Sequence, residues 1–408
     1  MKRRDFIKSS MALATAASVA GQISAASGAE TEKTSGTETE KNRVKNYRTL
    51  GRTGMKIGDI SFGAGKLPSA SLVLRAVERG MNYFDTAPDY GPSETLIGEA
   101  MPRLPDRSKI HIASKFCQTK PYPGHLPTGS SEQEYIAAVE GSLKRLKTDY
   151  LDVVFVHALG ENPDFDKERQ RLLDPNMLKA YDRLRRDGKV RFLAASSHGP
   201  HNMERLLLEA VNSGHYDLIM PAFNFMKFPK VPEVLQTAAK KGVGVVAMKT
   251  LAGAKESGID LSGVSEHAAF KWVLKHPEVG GLVVTFANTG HLELYLQASG
   301  QTFTAQDQKL LDQYAARHGQ DYCRTGCGDC EAGCPQGVPI ASILRYQMYF
   351  EDYHDEKQAM QAYSALEKNA AACQNCADAA CNQPCPYGLP VATKLRAAHR
   401  QLSFDTVS

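Results

Sequence analysis

The stretch LDVVFVHAL, residues 151–159, is almost continuously apolar, with one acid near its start and one histidine near its end. A run of this length rich in β-branched and aromatic residues predicts a strand covered on both faces, as in a parallel sheet flanked by helices. Seven more runs share its texture: DISFGA (59–64), YFDTA (83–87) and IHIASKF (110–116) before it, then VRFLAAS (190–196), LIMPAFN (218–224), VGVVAMK (243–249) and GLVVTF (281–286) after it. Amphipathic segments such as SLVLRAVERG, EQEYIAAVEGSLKRL and NMLKAYDRLRRDG separate them, several closing on glycine as helix C-caps do. Eight βα units in succession predict an α/β fold, the (β/α)8 or TIM barrel, over residues 47–317. An open doubly wound sheet is the alternative, but GAGKLPS after the first strand is a poor match to its glycine-rich phosphate turn.

The whole chain has 408 residues, enough for one large domain and a smaller one. With 42% hydrophobic and 23% charged residues it can bury a core, and a net charge of +4, spread along the chain, does not point to nucleic acid. The start is different. KRRDFIK (2–8) is followed by an uncharged, weakly apolar run of Ala, Ser and Gly from Ser9 to Gly28. That run is less hydrophobic than a stable spanning helix requires. A basic start, a weak apolar run and small residues at SAASGAE fit a cleavable export signal over 1–29, cut after Ala26 or Ala29. The paired Arg3 and Arg4 resemble the twin-arginine signal, which carries folded proteins across the membrane, so a periplasmic or other extracytoplasmic location is expected. The membrane is then a partner only during export. Residues 30–46, polar and without apolar period, read as a disordered linker.

In a barrel of this kind, chemistry sits at the C-terminal ends of the strands. Asp85 closes the second run, with Tyr90 in the adjoining loop; Lys115 ends the third and His157 the fourth. Each charged group would be costly to bury alone, but together they compensate one another. They suit proton delivery to a carbonyl oxygen. A tyrosine with a pKa of about 10 is a weak acid near neutrality, and a nearby lysine cation is expected to lower it. Asp85 would hold the lysine, and His157 would donate to or orient the carbonyl.

These residues carry a resemblance to the aldo-keto reductase family, in GMNYFDTAPDYGPSETLIGEA (80–100), IHIASKF, DYLDVVFVHAL and GKVRFLAASSHG, and in the opening YRTLGRTGMKIGDISFGAG (47–65). The resemblance implies a reductase of small-molecule carbonyls, or dehydrogenase of the alcohols, with Tyr90 as general acid, Lys115 tuning it, Asp85 supporting Lys115 and His157 orienting the carbonyl. It also implies NADP(H) or NAD(H), with Ser196, Ser197, Lys249 and Asn288 as the matching contacts. The chain departs from the family there. Ser197 replaces the usual Asn, MPAFN lacks the usual Gln, Met248 stands where an aromatic is usual, and VTFANTGHLELYL lacks the usual glycine and basic residues, leaving His291 as the one candidate cation.

After about residue 318 the βα beat stops. Cys323, Cys327, Cys330 and Cys334 form one tight run, and Cys373, Cys376, Cys381 and Cys385 a second. Each ends Cys-x3-Cys-Pro, and CPQGVPI and CPYGLPV are near repeats. The pattern points to iron–sulfur ligation and resembles two-cluster bacterial ferredoxins, in which the fourth cysteine of one run serves the other cluster. The expectation over 318–408 is a small, mainly helical ferredoxin-like domain with two [4Fe–4S] clusters and a redox partner protein. Four disulfides or two zinc sites are the competing readings. Cys117 belongs to neither run and reads as packing. The function expected is an exported oxidoreductase drawing electrons from a nicotinamide, the clusters or both. The alternative is a non-enzymatic electron carrier or scaffold with a retired barrel site.

Overall fold

The computed structural model describes residues 42–104, 106–226, 228, 230–251, 264–324 and 326–404. The proposed signal and most of the linker lie outside them. Among the described residues, no helix is long and apolar enough to cross a membrane.

The chain enters through a hairpin of β1 (Tyr47–Thr49) and β2 (Lys56–Gly58). Eight strands then close into a parallel barrel: β3 (Ile60–Gly63), β4 (Tyr83–Asp85), β5 (His111–Lys115), β6 (Leu151–Leu159), β7 (Val190–Ser197), β8 (Leu218–Pro221), β9 (Gly244–Ala247) and β10 (Gly281–Thr285), with β10 pairing back onto β3. Each of the eight apolar runs is a strand, and strand order follows chain order. The helices between and after them are α1 (Ala70–Glu78), α2 (Ser93–Ala100), α3 (Glu132–Leu146), α4 (Phe165–Leu172), α5 (Pro175–Arg186), α6 (Met203–Ser213), α7 (Val231–Lys240), α8 (Val264–Leu274), α9 (Thr289–Tyr295) and α10 (Ala305–His318). Local chemistry sets their ends. Ser131 and Glu134 make a reciprocal capping box at the start of α3, and Thr304 and Asp307 make another at α10.

Side chains alternate along a strand, so each barrel strand feeds two cores. Phe62, Phe84, Val154 and Leu193 point outward to the helices. Tyr83, Ala113, Val153, Phe155, Ala194, Val246 and Val283 fill the interior with Leu50, Met55 and Ile57 of the hairpin. Continuing the inward parity by one step to the C-terminal ends of the strands reaches Asp85, Lys115, His157, Ser196, Met248 and Thr285. The same alternation that packs the barrel therefore delivers polar groups to its mouth.

The remaining chain has its own core, built from α11 (Ile340–Glu351), α12 (Glu356–Ser364) and α13 (Val391–Leu402) around Val338, Ile343, Leu344, Tyr363, Leu389 and Leu395. The near repeat in sequence is a repeat in structure. After Cys334 and after Cys385 the chain makes the same turn, with the amide of Gly337 or Gly388 donating back to the cysteine carbonyl at 3.1 and 3.2 Å. Both glycines have positive φ, +63° and +67°, a conformation glycine adopts without strain. The residue after the preceding cysteine then caps the next helix: Glu331 accepts from the Ala341 amide of α11, and Asn382 from the Ala392 amide of α13.

Candidate active site

A cavity of about 360 Å³ opens at the C-terminal end of the barrel, within the range of small-molecule sites. Its floor holds Asp85, Tyr90, Lys115, His157 and Ser196, and its walls include Met248 and Lys249. Its far side comes from the C-terminal region: Cys323, Arg324, Arg345, Met348 and Tyr353.

The four expected residues come together. Lys115, 2% exposed, donates through Nζ to Asp85 Oδ1 at 2.7 Å and to the Thr86 carbonyl at 2.9 Å. The same Nζ lies 5.1 Å from the centre of the Tyr90 ring. The Tyr90 hydroxyl stands 3.4 Å from His157 Nε2. Tyr90 reaches this point from the loop ahead of α2, in a turn closed by its own amide on the Ala87 carbonyl.

The electrostatics differ from expectation in one respect. Burial, helped by the charges of Asp85 and Asp89, pushes the Tyr90 hydroxyl well above its usual pKa rather than below it. The leading cause is desolvation of the phenolate form, to which the two carboxylates add. Tyr90 is therefore a protonated donor in the resting site. Burial also lowers the pKa of His157, which the neighbouring Asp89 carboxylate only partly offsets, and this favours the neutral imidazole.

His157 is held by an irregular backbone. The register of β6 against β7 shifts between Val156 and Leu159, and Ala158 sits at φ +51°. Such a conformation persists only where surroundings enforce it. Arg171 donates to the carbonyls of His157 and Ala158 at 2.6 and 3.0 Å while paired with Glu168 at 2.7 Å. The Ala158 amide donates to Ser196 Oγ at 3.1 Å, and Ser197 Oγ donates to the Leu159 carbonyl at 2.7 Å.

That geometry places the four expected cofactor contacts differently from one another. Ser196 lines the cavity, but its oxygen already serves the β6 bulge. Ser197 has the outward parity and is fully buried away from the cavity. Asn288 is the N-cap of α9, accepting from the His291 amide at 3.0 Å, and does not line the cavity. Lys249 does line it, at φ +56°, with Nζ 4.7 Å from the Tyr353 ring centre and 5.2 Å from that of Tyr349. Burial, reinforced by Arg345, depresses its pKa to about 7. A phosphate role for Lys249 would have to compete with these ring contacts.

Sequence reasoning missed Asp89, His198, Arg345 and Tyr353. Asp89 was legible as the residue before Tyr90 in DTAPDY. The others reach the cavity through tertiary packing alone.

The cysteines form two quartets that cross between the runs. Cys323, Cys327, Cys330 and Cys385 surround one cleft, and Cys334, Cys373, Cys376 and Cys381 surround another. All nine cysteines are free of disulfides.

Comparison with known proteins agrees with the barrel and its site. A profile of the aldo/keto reductase family matches residues 60–264. An L-glyceraldehyde 3-phosphate reductase of Escherichia coli O157:H7 is 23% identical over 330 residues, covering 66% of this chain and 92% of the relative. An L-galactose dehydrogenase of Arabidopsis thaliana is 27% identical over 220 residues, covering 50% and 65%. Among solved structures, a Pseudomonas aeruginosa protein assigned to the aldo-keto reductases superposes with a TM-score of 0.52 at 26% identity, covering 63% of this chain and 95% of its own. Fold and site together define an oxidoreductase built on a TIM barrel. The chain belongs to the aldo/keto reductase family.

Proposed function

We propose that this oxidoreductase interconverts a small-molecule carbonyl and its alcohol in the barrel cavity, and that its C-terminal region carries two [4Fe–4S] clusters exchanging electrons with a partner outside the cytoplasm. The observation that carries the reading is that Cys323 and Tyr90 line the same cavity.

The residues fit clusters. Four thiols converge on each cleft, and each quartet takes its fourth member from the other run, as in the ferredoxin pattern. A single tetrahedral zinc, with Zn–S near 2.3 Å, would draw its sulfurs to about 3.8 Å apart. Among the described residues, no three of these cysteines have their sulfurs within 4.8 Å of one another. That spacing, and the free state of all eight, favour a larger centre over zinc or disulfides. Clusters held there would supply electrons singly. Export through Arg3 and Arg4 suits such a protein, because the clusters are built in the cytoplasm and the twin-arginine route moves folded chains.

A nicotinamide fits less well, since Ser197 and Asn288 are not among the residues lining the cavity and Ser196 is engaged. No step is therefore assigned to it. Reduction of the carbonyl to the alcohol takes two electrons, which the redox partner would supply one at a time through the clusters, and two protons, one delivered to oxygen by Tyr90 and one reaching carbon from solvent. Tyr90, held protonated by burial, donates one proton to the carbonyl oxygen. His157 Nε2, 3.4 Å from the Tyr90 hydroxyl, reaches the same oxygen and orients it. Lys115 stays fixed by Asp85 and stabilises the phenolate that proton transfer leaves behind. Arg171 keeps the His157 backbone in its bulged form. The test is anaerobic purification followed by iron analysis and a panel of carbonyl substrates. The reading expects about eight irons per chain and turnover that fails in Tyr90→Phe; a colourless protein holding zinc in place of iron would refute the cluster part.

A further inference from the structure

Beneath the catalytic histidine lies a second group of ligand-type side chains. Asp89, Cys117 and His157 bring one donor atom each within 4.8 Å of one another, and all three are buried. His157 Nδ1 is 3.3 Å from Cys117 Sγ and 3.6 Å from Asp89 Oδ2. Around a tetrahedral zinc with Zn–S near 2.3 Å and Zn–N or Zn–O near 2.0–2.1 Å, the S–N edge would be about 3.6 Å and the N–O edge about 3.4 Å. Two of the three edges already stand at the lengths of a metal's first shell, and the third lies within 4.8 Å.

A fourth candidate, His125, lies outside this 4.8 Å group and would have to turn its ring inward to complete it. His125 pairs across an isolated antiparallel bridge with Cys117, which brings the two side chains together. Its ring centre is 6.0 Å from that of His157. Among the described residues, its buried Nδ1 has no hydrogen-bond partner. Asp89, 6% exposed, has the same deficit: Oδ2 accepts from the Gly124 amide at 2.9 Å, while Oδ1 finds no partner among the described residues. Unmet polar atoms inside a protein are destabilising, so two on neighbouring side chains call for a ligand.

We propose that Asp89, Cys117, His125 and His157 form a binding site for one divalent transition-metal ion of borderline softness, of which zinc is the type. The donor set of one thiolate, one carboxylate and two imidazoles suits that class. Charge also balances. The ion displaces the Cys117 proton to solvent, and its two positive charges are met by the thiolate and the Asp89 carboxylate. The neighbouring cations are already paired, Lys115 with Asp85 and Arg171 with Glu168. The Gly124 amide on Oδ2 is the kind of outer contact that orients a ligating carboxylate.

The site bears on the reaction without touching the reacting atoms. Metal on Nδ1 leaves His157 with its proton on Nε2, the nitrogen facing Tyr90, and so makes His157 a permanent donor to the substrate oxygen. The metal acts through His157 as a positioning element. This inference is independent of the iron–sulfur reading.

The experiment is X-ray absorption at the zinc edge on the full-length protein, purified after growth with added zinc, alongside metal analysis of wild type, Cys117→Ala and Asp89→Asn. The expected result is about one zinc per chain with one sulfur and three nitrogen or oxygen neighbours, a shell distinct from the all-sulfur shell of zinc lodged in a cysteine quartet. Each variant should lose at least tenfold in zinc occupancy while keeping the far-ultraviolet circular dichroism of the wild type. That retained signal shows that the variant has folded, and Asp89→Asn serves if Cys117→Ala does not. Zinc absent from wild type, an all-sulfur shell, or full occupancy in both variants would overturn the proposal.

Discussion

Replacing Lys115 with methionine keeps most of the side-chain volume and deletes one buried charge. In the intact protein Lys115 satisfies Asp85 at 2.7 Å and the Thr86 carbonyl at 2.9 Å. Both ionic partners are almost inaccessible, 2% and 5% exposed, so water cannot replace the ammonium. Breaking a buried pair from one side typically costs about 3–5 kcal/mol, because the other charge is left uncompensated. Deleting both charges should cost less than the two single changes combined. Lys115→Met should therefore lose about 3–5 kcal/mol, and Asp85→Asn with Lys115→Met should show a favourable coupling of about 1–3 kcal/mol. The assay is urea unfolding followed by fluorescence of Trp272, the one tryptophan of the chain, whose ring centre lies 5.0 Å from that of Phe223. A loss below about 1 kcal/mol for the single variant, or strict additivity in the double variant, would refute the claim that this pair is a mutually dependent buried unit.

Three further outcomes follow from the geometry. Tyr90→Phe should lower kcat by about 10²- to 10⁴-fold with little effect on KM or on the unfolding midpoint, in steady-state assays of any substrate found. Cys334→Ala should disable the centre formed with Cys373, Cys376 and Cys381, although Cys334 lies in the other run; iron should fall by about half, and loss of the Cys323 centre instead would contradict the crossed pairing. His201, 3.1 Å from Ser342 of α11, has its pKa pushed from 6.5 to about 4 by burial and the Arg345 charge. A lowered histidine pKa means the unfolded chain takes the proton first as pH falls. Stability should thus be full above about pH 6.5 and decline towards pH 4, by up to about 3 kcal/mol, with the decline flattened in His201→Gln.

Short, nearly continuous apolar runs rich in β-branched residues were enough to place all eight barrel strands, since a strand buried on both faces leaves a dense local trace. Asp85, Lys115 and His157 at the cavity were legible for the same reason: polar residues ending apolar strands stand out. Parity also explains the placement of Ser197, which follows Ser196 in sequence and so points the opposite way, outside the cavity lining. Asn288 stands apart from the cavity lining for a different reason. An Asn ahead of a short helix serves equally as ligand contact or N-cap, and only coordinates distinguish the two. The direction of the Tyr90 shift was misjudged because the nearby cation was weighed without the desolvation of the buried hydroxyl and the charges of Asp85 and Asp89. Arg345 and Tyr353 left no trace, because their place in the cavity depends on how α11 and the segment after it pack over the barrel mouth.

The central claim is that Tyr90 donates the proton in carbonyl reduction within a cavity shared with the Cys323 centre. The most direct measurement reduces the purified protein anaerobically, mixes it with a panel of small carbonyl compounds, and follows reoxidation of its visible absorbance together with alcohol formed. The account predicts about one alcohol per two electrons released by wild type, and loss of both signals in Tyr90→Phe. Equal reoxidation and equal alcohol yield in Tyr90→Phe would contradict it.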